Sequence, residues 1–267
     1  MVKGTTILQL ASALLALGLV NPKFIQIQSR RFLLVLPNAV GQVKSSEAGL
    51  PAEDRQLLGA VRQGDLAQVE QLLSRGASVN AGNRYLGYPI AIATEQGNQA
   101  MVQLLVDQGA DVDVVSAGGQ TALGRAVDMG NLELVNTLVA AGASPDRRTA
   151  YGVPLLYRAT EMGNVEMVKL LLGGGANANA QVAGITPLYK AVEMGNVAIT
   201  RLLLDGDANP DTAKPLYRAV EVGNSDLVRL LLNHGANPHI KQRGVSVLNL
   251  AQAQGNRAIV TMLRNAM

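Results

Sequence analysis

The dipeptide Gly-Asn returns at Gly97, Gly130, Gly163, Gly195, Gly223 and Gly255, at intervals of 33, 33, 32, 28 and 32 residues. A Gly64-Asp65 pair places one more copy 33 residues earlier. A second mark, Gly-Ala, follows twelve positions later at Gly76, Gly109, Gly142, Gly175 and Gly235. A period of this length predicts a stack of similar units, each burying its apolar side against its neighbours and not around one central core. Between the marks, runs such as Val165–Leu172 space their apolar residues as a helix requires. Composition agrees: two Phe and no Trp among 267 residues leave a core of thin Ala, Leu and Val layers.

Each mark has a local physical role. A Thr or Ser can open and cap the first helix of a unit, and a Pro fits its first turn. The glycine of Gly-Asn supplies a left-handed stop, the Asn or Asp caps the second helix, and the glycine of Gly-Ala ends it. Openings of this kind stand at Thr186-Pro187-Leu188-Tyr189 and Lys214-Pro215-Leu216-Tyr217. Weaker copies are Tyr88-Pro89-Ile90-Ala91, Thr121-Ala122-Leu123-Gly124 and Ser246-Val247-Leu248-Asn249, and Pro154-Leu155-Leu156-Tyr157 keeps the later positions only.

These motifs resemble the ankyrin repeat family over residues 53–267. The resemblance implies an all-α solenoid of about seven helix-turn-helix units joined by hairpin loops. The first unit (about 51–82) lacks the Thr-Pro-Leu opening and is expected to act as a cap, and the last ends within its second helix. Two departures stand out. The family's turn-holding His at the fourth motif position is absent, with Tyr157, Tyr189 and Tyr217 there in three units. Either the phenol substitutes for it or the turn is held by other groups. The stretch Asp207 to Lys214 is four residues shorter than its counterpart and has Asp207 in place of Gly, which predicts a stubby finger.

Ahead of the repeats, residues 1–20 carry an uncharged apolar run that is too short to span a bilayer and long enough for a signal-peptide core. Cleavage near Ala16 and Gly18, or near Ala39-Val40-Gly41, would suit an exported protein, periplasmic or secreted. The alternatives are a retained leader that associates with a membrane through residues 1–36, or a cytoplasmic chain whose leader is no signal. Residues 21–52 read as a linker with a short strand at Phe24–Gln28.

Charge and motifs exclude several functions. Residues 1–50 hold five bases against Glu47, whereas the remainder holds 18 bases against 19 acids. The repeat body therefore lacks the net basic charge expected of a nucleic-acid binder, and no nucleic-acid partner is expected. The absence of Cys removes disulfides and thiolate sites, and two His (His234, His239) are too few for a His-rich metal centre. Gly173-Gly174-Gly175 lacks the Lys-Ser/Thr of a phosphate loop, and no nucleophile elbow occurs. Neither an enzyme nor a cofactor is expected.

The resemblance implies binding of a protein partner on the concave side, by a monomeric repeat domain. Matching variable positions precede each Gly-Asn: Glu95 and Gln96, Asp128 and Met129, Glu161 and Met162, Glu193 and Met194, Glu221 and Val222, Ala253 and Gln254. Bases stand three residues before the acid at Arg125, Arg158, Lys190 and Arg218, on the same helical face. This is either a solvated ion-pair ladder or a binding stripe of charge pairs with Met. Tyr85 and Tyr151 fall in hairpin regions that such partners touch. The wider alternatives are a membrane-tethered scaffold and an accessory subunit that modulates a partner enzyme.

Overall fold

A computed structural model describes residues 49–116 and 118–267. The leader and the strand expected at Phe24–Gln28 lie outside the described residues. Among the described residues fourteen helices form seven antiparallel pairs. The pairs are α1 (Ala52–Gln63) with α2 (Leu66–Ser74), α3 (Pro89–Glu95) with α4 (Gln99–Asp107), and α5 (Ala122–Met129) with α6 (Leu132–Ala140). Next come α7 (Leu155–Glu161) with α8 (Val165–Gly173) and α9 (Pro187–Glu193) with α10 (Val197–Asp205). The last are α11 (Pro215–Glu221) with α12 (Ser225–Asn233) and α13 (Val247–Ala253) with α14 (Arg257–Ala266). First helices pack on neighbouring first helices, and second helices on neighbouring second helices.

The core follows from the repeat. In the fourth unit Leu155, Leu156, Ala159, Met167, Val168 and Leu171 are all buried, and equivalent positions are buried in the units around it. Burial of such side chains stabilises each interface by roughly 1.5–3 kcal/mol per large residue, so stability accrues from neighbour to neighbour. Short helices of seven to nine residues would not persist alone, and their ends are fixed by side chains. Every second helix is capped by the Asp or Asn of its mark: Asn131 accepts from the Leu134 N–H and Asn164 from the Met167 N–H. Thr121, Thr186 and Ser246 cap first helices in the same way. Tyr88, Pro154 and Lys214, at the same position, make no side-chain cap.

The turns are held by a ladder at the finger roots, and not by the tyrosines. Asn80 accepts the Asp111 N–H at 2.8 Å, Asp113 that of Ser144 at 3.1 Å and Asp146 that of Asn177 at 2.8 Å. Asn179 accepts the Asn209 N–H at 2.7 Å, and Asp211 that of Asn237 at 2.8 Å. Each bond joins one unit to the next. His239 occupies the equivalent place in the loop before α13.

The finger before α13 forms a two-stranded hairpin, β1 (Lys241–Gln242) with β2 (Val245–Ser246), and three others close through single bridges. The stretch Asp207 to Lys214 has only turns, as its shortness predicts. Asp207 there takes the left-handed conformation (φ 63°) that Gly175 supplies in the unit before. Among the described residues no helix is long and apolar enough to cross a membrane.

Candidate interaction surface

The C-terminal ends of the first helices bring the expected charged positions together in a ladder of two runs, Asp128–Arg158–Glu161 and Lys190–Glu193–Arg218–Glu221. Asp128 accepts from Gln120 at 2.7 Å and meets Arg158 Nε across the unit boundary at 3.3 Å. Arg158 then reaches Glu161 in its own helix at 2.8 Å. Lys190 meets Glu193 at 3.1 Å, Glu193 meets Arg218 of the following unit at 3.7 Å, and Arg218 meets Glu221 at 2.5 Å. Acid and base thus alternate through four units.

Electrostatic consequences are visible in the titrating groups. The hydrogen bond to Glu161 pushes the Arg158 pKa up, and the bonds to Glu193 and Glu221 do the same for Lys190 and Arg218. The Tyr157 phenol is raised chiefly by burial; the charge of Lys190 works against that, and Glu161 and Glu193 add to it. Tyr157 therefore lies beside the ladder, and Tyr189 near its Arg218. Members of the ladder are a quarter to nearly half exposed, apart from Asp128. Each pair then contributes a few tenths of a kcal/mol at most. Its main effect is to fix long side chains in one geometry.

Two expected ladder members stand apart. Among the described residues Arg125 and Glu95 pair with no opposite charge: Asp128 is engaged by Gln120 and Arg158, and Glu95 has Ile92 where the other helices carry a base. The i,i+3 geometry that works in three helices thus gives way in α5 to a cross-unit bond.

Beside the ladder runs a second row, one residue on in each unit. Gln96 and Gln254 hydrogen-bond back to the carbonyls of Arg62 and Glu221 in the preceding units, at 2.8 and 3.0 Å. Between these polar ends Met129, Met162, Met194 and Val222 are 38–44% exposed. The Cε methyls of the methionines lie over the helix-ending glycines of the unit before. That of Met162 is 3.4 Å from where a β-carbon on Gly130 would stand, and that of Met129 is 3.6 Å from the same point on Gly97. Tyr85 and Tyr151 sit elsewhere, on finger tips, 64% and 89% exposed, with Arg84 over the Tyr85 ring at 5.8 Å.

No curated protein matches the sequence. A family model described as ankyrin repeats (3 copies) matches residues 57–149 and 156–242. The chain belongs to the ankyrin repeat family. Solved ankyrin domains superpose on it: one from Acinetobacter baumannii AYE is 26% identical, with a TM-score of 0.61 over 67% of this chain and 97% of its own. The ankyrin domain of Bcl-3, a member of the IκB family, is 28% identical with a TM-score of 0.63 over 78% of this chain and 97% of its own. Human ASB11 is also 28% identical, with a TM-score of 0.54 over 79% of this chain and 97% of its own. Ankyrin repeats are in general protein–protein interaction modules.

The finger-root ladder escaped the sequence reading although its signal was present. Asn80, Asp113, Asp146, Asn179 and Asp211 each stand three residues after the Ala that follows the helix-ending residue, a spacing as regular as Gly-Asn itself. His234 lies at the end of α12, its ring nitrogens 2.9 Å from the Leu230 carbonyl oxygen and 3.1 Å from Asp205. Among the described residues no group of His, Asp and Glu could hold a metal ion.

Proposed function

We propose that this ankyrin chain is a non-enzymatic scaffold that grips a protein partner on the first-helix face of its third to sixth units. The observation that carries this reading is the coincidence of two rows. Exposed Met129, Met162, Met194 and Val222 run beside carboxylates and bases already held in place by one another. Methionine adapts to varied apolar surfaces, and ordered charges limit the entropy lost on association. The row turns polar at Gln96 and Gln254, which confines the apolar strip to the four central units. Export directed by residues 1–20 belongs to the same proposal and is supported by the uncharged apolar run alone.

The test begins with crosslinking in the native cell to identify the partner, followed by affinity measurement with purified components. Replacing Glu161, Glu193 and Glu221 together by Lys should weaken binding at least about tenfold, since like charges facing across an interface are costly. A second variant, Met162→Ala with Met194→Ala, leaves the ladder intact and should also weaken binding. Unchanged affinity in both variants would refute a site on this face.

A further inference from the structure

The near-neutral charge of the repeat body conceals a segregation. The six finger tips (residues 81–88, 114–121, 147–154, 180–186, 212–214 and 240–246) carry six bases and no acid. The rest of the body beyond residue 50 then holds 12 bases against 19 acids. The bases are Arg84, Arg147, Arg148, Lys214, Lys241 and Arg243, and all are exposed. Among the described residues only Arg147 meets a carboxylate, Asp113, at a loose 3.9 Å. Arg148 and Lys214 donate instead to the carbonyls of Gly152 and Lys241. The nearest acids, Asp113, Asp146 and Asp211, sit at the finger roots and accept backbone N–H groups of the following unit. Because each root is bonded to the next, the tips line up along one edge of the stack.

We infer that this edge is a second interaction surface, which takes an extended acidic segment of a partner protein. Charge complementarity sets the sign, and spacing sets the kind of polymer. The bases lie on the first, third, fifth and sixth fingers, and the second and fourth tips are uncharged. Adjacent packed helices are about 8–10 Å apart, so alternate fingers are roughly 16–20 Å apart. An extended polypeptide rises about 3.3 Å per residue and would place acids every five or six residues to meet them. A DNA strand carries a phosphate about every 3.4 Å and would leave most of its charge facing uncharged tips. Exposed Tyr85 and Tyr151 stand beside the bases on the first and third fingers and offer flat, rigid contact area of the kind enriched at protein interfaces. The edge adjoins the helix face proposed above, since Gln120 of the second finger bonds Asp128, but its bases belong to neither the charge ladder nor the methionine row, and the two readings fail separately.

The probes are two labelled 24-residue peptides of equal composition, read by fluorescence anisotropy against the full 267-residue chain. One has Glu pairs every six residues in an Ala/Ser background; the other has all its Glu at one end. The spaced peptide is expected to bind at least about tenfold tighter, with affinity falling as salt rises. Arg148→Glu with Arg243→Glu should abolish that preference. Because both side chains are exposed, the circular dichroism of this variant should match that of the parent chain, and the milder Arg148→Gln with Arg243→Gln should show a smaller loss in the same direction. The triple Glu→Lys variant of the helix face should bind the spaced peptide at least as well as the parent. Equal affinity for the two peptides, no binding at low salt, or a 20-mer of oligothymidylate binding as tightly as the spaced peptide would overturn the inference. The last result would assign the edge to nucleic acid instead.

Discussion

Removing Asp113 tests how a stack without the family's motif histidine holds its turns. Its two carboxylate oxygens lie 3.1 and 3.4 Å from the Ser144 nitrogen in the next unit, and its side chain is only 28% exposed. Hydrogen bonds to charged acceptors contribute roughly 1.5–3 kcal/mol. Partial exposure lets water reach the freed N–H, so Asp113→Ala should cost about 1–1.5 kcal/mol, and Asp113→Asn, which keeps an acceptor, about half that. For a domain of this size each kcal/mol moves the melting midpoint by about 2–4 °C, giving a fall of about 3–5 °C. Repeat arrays can lose cooperativity, so the local reading matters more. Hydrogen exchange at the Ser144 amide should quicken by about tenfold, the equivalent of 1.4 kcal/mol, with little change at amides two units away. A melting point within about 1 °C of the parent, together with an unaltered Ser144 amide, would refute the ladder as what secures the turns.

Three other outcomes follow from the same structure. Leu171 is fully buried in α8, so Leu171→Ala should cost about 3–5 kcal/mol in urea unfolding; a loss under about 1 kcal/mol would contradict the packing. Burial lifts the Tyr157 pKa above the ordinary value of about 10. The folded chain then holds that proton more tightly than the unfolded one, and the stabilisation, complete below about pH 10, is lost as pH rises through the folded value. Tyr157→Phe should flatten the alkaline fall without abolishing it, because Lys190, raised by its bond to Glu193, acts in the same direction; an unaltered alkaline limb would sink this reading. For the leader, the intact mass of protein from its host should lack Met1 and the apolar run that follows, and a retained Met1 would remove the export proposal.

Much of the architecture was legible because each mark in the sequence has a local cause. Asn164 predicts a capped helix, and the structure caps it. The four-residue deletion before Lys214 predicts a stub, and the stub is there. The i,i+3 spacing also foretold the bonds within α7, α9 and α11. It could not foretell that Asp128 would pair with Arg158 in preference to Arg125, because that choice depends on how closely neighbouring units approach. The finger-root ladder was hidden for a similar reason, since each acceptor serves a donor 26 to 31 residues further along the chain. Charge totals misled in a different way: a body with nearly equal numbers of acids and bases still gathers bases at one edge, and only the placement of the fingers makes that visible.

The helix-face proposal is tested most directly by methionine oxidation footprinting of the chain with its crosslink-identified partner. Free in solution, Met129, Met162 and Met194 are exposed and should oxidise readily, whereas Met101 and Met167, fully buried, serve as internal controls. In the complex the three exposed methionines should be protected together while the controls stay unchanged. Oxidation of all three at the free rate in a saturated complex would place the partner elsewhere on the stack.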